Sequence, residues 1–192
     1  MSASGKPMKK SYFTLREWAI IVSLALASAL INTYIPIKNI TGHFGIPGPA
    51  AGMALLGGVI FVLWISLAHQ ITGKRYSGII TSIFIAAICL FIHPWYGVME
   101  PSWFSLYGIV GLGCMGAIIE TMSRSYWRGV VGGGLGNLCC LGITWLAIGF
   151  HTGTWVPKEW APFLILGAVI SGSIGVLIAQ GVTRMVWARS RN

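Results

Sequence analysis

Three breaks between apolar stretches hold most of the residues able to do chemistry. Pro36–Gly48 carries Lys38 and His43. His93–Trp103 carries His93, Trp95, Tyr96, Glu100 and Trp103. His151–Trp160 carries His151, Trp155, Lys158, Glu159 and Trp160. Aromatic rings in such numbers can stack on a flat ligand. Neutral imidazoles can donate hydrogen bonds, ligate a divalent ion or take a haem iron. Lys38 and Lys158 suit a carboxylate or phosphate, and Glu100 and Glu159 suit a cationic or amide group. A lone interfacial Trp is ordinarily an anchor, and a lone His at a helix end is ordinarily a cap or a solvated side chain. The functional reading rests on a surplus. Trp18, Tyr76, Tyr126, Trp127 and Trp187 already supply a ring belt beside the other breaks, yet three of the four histidines gather here.

No constellation for covalent chemistry accompanies them. There is no H-E-x-x-H and no G-x-x-x-x-G-K-[ST]. Ser171–Gly175 (SGSIG) is not a nucleophile elbow, and no histidine lies at matching membrane depth to act as its base. The central parts of the apolar stretches hold no carboxylate or lysine to relay protons or bind a coupling cation. A nonenzymatic protein with no energy source of its own is expected. The four cysteines, Cys89, Cys114, Cys139 and Cys140, lie inside apolar stretches without zinc spacing and read as small interior residues.

The elements that must position these breaks follow from composition. Of 192 residues, 55% are hydrophobic and only 9% charged, against roughly 25% charged in a soluble domain. Such a chain cannot cover a water-facing surface, so an all-α integral membrane protein of one domain is expected. Six uncharged stretches, about 18–35, 49–71, 77–92, 104–119, 130–150 and 161–182, are of spanning length or nearly so. The fourth can extend to Met122 if Glu120 reaches the interface. The basic start followed by a long apolar stretch, with no small-residue cleavage site, reads as a retained first helix. Of the 13 basic residues, 11 fall at the two ends of the sequence and in the second and fourth breaks. The positive-inside rule then places both termini in the cytoplasm and the histidine-bearing loops outside. Clustering between spans also separates the net charge of +9 from a nucleic-acid-binding stripe.

Inside the first stretch, Ala25, Ser28, Ala29 and Asn32 fall at i, i+3, i+4 and i+7, a narrow face suited to another helix. Glycines at Gly108, Gly111, Gly113 and Gly116, at Gly129, Gly132, Gly133 and Gly136, and at Gly167, Gly172 and Gly175 suit close helix packing. Asn137 reads as an interhelical hydrogen-bonding residue or, alternatively, as a cavity-lining one.

Ala25-x-x-x-Ala29, the proline-rich segment from Pro36 to Pro49 and the GPAAGMALLGG that follows resemble the substrate-binding (S) subunits of energy-coupling factor (ECF) transporters. Length, six helices and internal termini agree across nearly the whole chain. The resemblance implies a multi-pass protein of a prokaryotic cytoplasmic membrane. It implies a micronutrient held near the outer surface under the first loop, and docking through Ala25 and Ala29 onto a membrane coupling subunit driven by two cytoplasmic ATPases. The expected substrate-binding residues are His43, His93, His151, Lys38, Trp95, Tyr96, Glu100, Trp155 and Asn137. The chain is expected to need no cofactor of its own. A flat vitamin or vitamin precursor ranks first as substrate and haem second. If haem or a metal is the ligand, His43, His93 and His151 are the candidate ligands. The alternatives are a divalent-metal importer subunit, disfavoured because the His-rich start of nickel and cobalt relatives is missing, and a structural or assembly protein without a ligand.

Overall fold

The computed structural model describes residues 12–34, 49–92, 103–153 and 155–189, and every regular element among them is helical. The helices are α1 (Leu15–Tyr34), α2 (Pro49–Gly57), α3 (Leu63–Thr72), α4 (Ser77–Ile92), α5 (Phe104–Met122), α6 (Tyr126–Thr152) and α7 (Ala161–Arg189). A π-helical turn, Gly58–Val62, joins α2 to α3 in one continuous rod. Five segments are long and apolar enough to cross a membrane: α1, the α2–α3 rod, α5, α6 and α7. The chain is thus a multi-pass membrane protein. At 16 residues α4 is the shorter sixth rod, about 24 Å long against a hydrocarbon core of roughly 30 Å.

The α2–α3 rod is central. It packs against α1, α4, α5, α6 and α7, and 67% of its apolar window is buried, against 28% for α1. It has no charged residue and a mean hydropathy of 2.2, so it can be enclosed without desolvating an ion. Around it, consecutive helices α4, α5, α6 and α7 pack side by side, and α1 closes against α4.

The small face of α1 points inward. Ala25, Ser28, Ala29 and Asn32 are all buried. The Ser28 hydroxyl donates to the carbonyl of Ile60 at 2.6 Å, and the Asn32 amide approaches Cys89 Sγ on α4 at 3.7 Å. The opposite face, Val22, Leu26 and Leu30, is exposed. The spacing foretold a face that takes a helix at close range; the helices that take it belong to the same chain.

A π turn widens the helix and misaligns the local backbone hydrogen bonds. In an apolar surrounding an unpaired backbone group is costly. Two serines from different helices bond to the backbone of this turn. Ser28 supplies a donor to Ile60, and Ser171 Oγ on α7 accepts the Gly58 N–H at 3.0 Å. The approach that permits this is extreme. A Cβ on Gly58 would lie 1.7 Å from the Ser171 carbonyl oxygen, and one on Gly175 would lie 2.3 Å from the Gly58 carbonyl oxygen. On the neighbouring side of α7, Gly172 meets Gly133 of α6 in the same way, at 2.2 Å from Cβ to carbonyl oxygen. The glycine spacings of the last two apolar stretches therefore serve backbone-to-backbone contact within the chain.

Glu120 explains how α4 begins. Its carboxylate accepts the N–H groups of Tyr76 at 2.5 Å, Gly78 at 3.1 Å and Ile79 at 3.4 Å. A carboxylate there satisfies first-turn donors and complements the helix dipole. At the same end Thr14 and Glu17 form a reciprocal capping box for α1. Lys74 binds Glu17 Oε2 and the Tyr12 carbonyl, both at 2.7 Å. Of the cysteines, Cys89 and Cys140 are buried, Cys114 and Cys139 partly so, and all four are free thiols.

Ser171→Ala is expected to lower unfolding stability by about 1–3 kcal/mol, the cost of an unpaired buried donor, in chemical or thermal denaturation of detergent-solubilised protein. Gly58→Ala, which places a methyl on backbone, is expected to do more: loss of the monodisperse peak in size-exclusion chromatography.

Candidate functional site

At the end of the bundle where α5 starts and α6 finishes, three side chains meet. Trp103 and Tyr107 are four residues apart and so share a face at the start of α5. His151 is in the last turn of α6. The imidazole lies flat on the Trp103 indole, with ring centroids 4.3 Å apart and planes 14° apart. His151 Nε2 is 3.1 Å from the Tyr107 hydroxyl, and the Tyr107 ring stands edge-on to the imidazole at 5.4 Å. His151 is exposed, while Trp103 and Tyr107 are half-buried. The arrangement is a fixed ring platform open to its surroundings.

The next turn extends it. Gly153 closes α6 with φ +69°, a left-handed conformation that glycine adopts without strain, and its N–H returns to the Gly149 carbonyl at 3.1 Å. The chain then brings Trp155 back over α6. Its ring lies against Gly149, where a Cβ would sit 2.6 Å from the indole carbons, and edge-on to Phe150 at 5.7 Å. Trp155 is nonetheless 55% exposed, too open for a core residue. Trp160 meets Phe163 at 6.2 Å, and Lys158 and Glu159 are exposed on the same loop.

Of the expected binding residues, His151 and Trp155 thus stand at this end. Asn137 does not join them. It lies 14 positions before His151 on α6, about 21 Å along the helix, and is fully buried. Its amide nitrogen donates to the Ala168 carbonyl at 2.9 Å, and its Oδ1 has no conventional donor and abuts Gly57. It ties α6 to α7 beneath α2, so of its two readings the interhelical one holds, and its place among the substrate contacts is corrected. Ala25 and Ala29 are likewise corrected. Both have zero exposure inside the chain's own core, because the π turn and α4 occupy the face expected to dock a partner. His43, His93, Lys38, Trp95, Tyr96 and Glu100 lie outside the described residues.

Tyr107 is the member that sequence reading missed. The available signal was its i+4 spacing from Trp103. Among the described residues no group of three His, Cys, Asp or Glu side chains is placed to hold a metal ion. Two cavities lined by described residues lie at the opposite, arginine-bearing end.

Asn137→Ala is expected to cost about 1–3 kcal/mol of stability, since a buried hydrogen bond between α6 and α7 is lost. His151→Ala is expected to cost about 1 kcal/mol or less, because its stack, edge contact and hydrogen bond are all made by an exposed ring. Denaturation of the two variants in the same detergent separates a structural residue from a surface one. Comparison with protein-family models, curated proteins and solved structures finds no match to this chain.

Proposed function

We propose that this protein is the substrate-capture subunit of an ECF-type importer, binding a flat, ring-containing nutrient at the end formed by Trp103, Tyr107, His151 and Trp155. The observation that carries this reading is the stacked and hydrogen-bonded His151–Trp103–Tyr107 platform. Two half-buried rings hold an exposed imidazole at a fixed tilt. A ring held in place in advance loses little freedom when a planar ligand stacks on it. Trp155, pinned over Gly149, offers a second face nearby. A vitamin or vitamin precursor fits this chemistry first. Haem remains the second choice: the Nε2 of His151 is engaged by Tyr107, which leaves Nδ1 for an iron.

The rest of the molecule is compatible with this reading. In this reading six rods cross the membrane with both termini inside, which puts the ring platform outside. Lys74, Arg75, Arg124 and Arg184 then lie at the cytoplasmic end, in accord with the positive-inside rule. A bundle whose lipid-facing surface is nearly free of charge can shift within a bilayer at low cost, because each charge drawn to the centre would cost roughly 2.5–3.5 kcal/mol. Work for import is supplied by the ATPases of the coupling module. Since Ala25 and Ala29 are used internally, contact with the coupling subunit falls to outward-facing side chains.

Mass spectrometry of small molecules co-purifying in mild detergent is expected to find a ring compound. Titration with it should show binding weakened roughly tenfold by Trp103→Ala and by His151→Ala, with the unfolding transition nearly unmoved. A membrane-impermeant maleimide should label Lys158→Cys in intact cells. Protein that holds no ring compound, or variants that bind as tightly as the parent, would refute the capture role.

A further inference from the structure

The arginine-bearing end of the bundle carries two adjoining clefts. The larger, about 410 Å³, lies between the end of α3, the α5–α6 turn and the last turns of α7; Gln70, Arg124, Tyr126, Gln180, Arg184 and Trp187 line it. The smaller, about 370 Å³, is lined by His69, Arg75, Glu120 and Arg124. Ser123 and Arg124 border both. Three arginines therefore line two adjoining spaces. The one carboxylate among the lining residues, Glu120, accepts backbone N–H groups at the start of α4.

We propose that the larger cleft binds the phosphate of an anionic phospholipid, with Arg124 and Arg184 as the cationic contacts. Three observations carry this. Arg184 is held over the Tyr126 ring, its Cζ 4.9 Å from the centroid, so one guanidinium is oriented before any ligand arrives. Guanidinium is the side chain best matched to phosphate geometry. Gln180 donates its amide nitrogen to the Tyr126 carbonyl at 3.2 Å, which helps hold the residue whose ring carries Arg184. Finally, the cleft is at the level of a ring belt. Trp127 is 73% exposed, and Trp187 and Tyr76 are also open; exposed Trp and Tyr mark the headgroup depth of a bilayer. That depth favours a lipid over a soluble phosphate, though the chemistry of contact is shared. The site is at the far end from the ring platform and does not depend on what that platform binds.

The test is native mass spectrometry and thermal unfolding of the full chain with phosphatidylglycerol, phosphatidylcholine or millimolar inorganic phosphate. Phosphatidylglycerol is expected to remain bound through detergent removal and to raise the transition; phosphatidylcholine is not. The double variant Arg124→Gln, Arg184→Gln should bind phosphatidylglycerol roughly 30-fold more weakly. Arg124→Lys with Arg184→Lys should recover part of it. Unfolding of each variant in phosphatidylcholine alone reports whether it is folded, and Arg189→Gln controls for loss of general charge. Equal binding of the two lipids, or a folded double variant that binds as the parent does, would overturn the site. Protection by inorganic phosphate matching that by phosphatidylglycerol would overturn the lipid assignment.

Discussion

A backbone amide in hydrocarbon must find its partners within the protein, and in the central rod side chains of two other helices supply some of them. The Gly58 N–H donates to Ser171 Oγ, while two residues on the Ile60 carbonyl receives the Ser28 hydroxyl. Both serines are deeply buried, at 7% and 0% exposure. Each would be a poor choice for a lipid-facing or purely apolar position. They fix the depth and rotation of α1 and α7 against the central rod, because a hydroxyl bond tolerates only a few tenths of an ångström. The small face of α1 and the glycines of α7 are consequences of the same requirement, since only side chains of that size let the hydroxyls reach the backbone.

That packing also explains where function can reside. Gly58, Gly133, Gly172 and Gly175 bring the backbones of the central rod, α6 and α7 into contact in the middle of the bundle. Chemistry is displaced to the two ends. One end carries imidazole and indole rings on the first turn of α5 and the last turn of α6. The other carries arginines around clefts lined by residues of α3, α5, α6 and α7 and of the turns between them. The ends are joined by rigid helices, so a ring platform and a basic cleft are held at a constant separation by the same small-residue seams.

Most of the helical plan was legible in the sequence, because uncharged runs mark the spans. The starts at Pro49, Ser77, Phe104 and Ala161 coincide with the ends of polar breaks. The basic ends of the last two helices were read short. α6 begins at Tyr126, before Arg128, and α7 runs on through Arg184 to Arg189, since long cationic side chains can reach polar surroundings while their helix continues. The inward partner of Ala25 and Ala29 was not legible: a small face announces close contact but carries no label for whose helix makes it. Asn137 shows the same ambiguity, as an amide serves a neighbouring carbonyl or a ligand equally well. The π turn had no signal at all in Gly58–Val62 (GVIFV), because the residues that stabilise it are 32 and 113 positions away. His151 and Trp155 were legible as candidates from residue type and place; their mutual geometry with Tyr107 was not.

The π turn has one more consequence. Such a turn is equivalent to one residue inserted into an otherwise regular helix, and one residue is about 100° of rotation. The half of the central rod toward the ring platform is thus phased independently of the half toward the arginines. Each half could settle its own neighbours, α6 and α7 for α2, α4 and α7 for α3, without compromise from the other. A chain built this way can be retuned at one membrane surface by shifting a single position in Gly58–Val62, leaving the seams at the opposite surface in their original register.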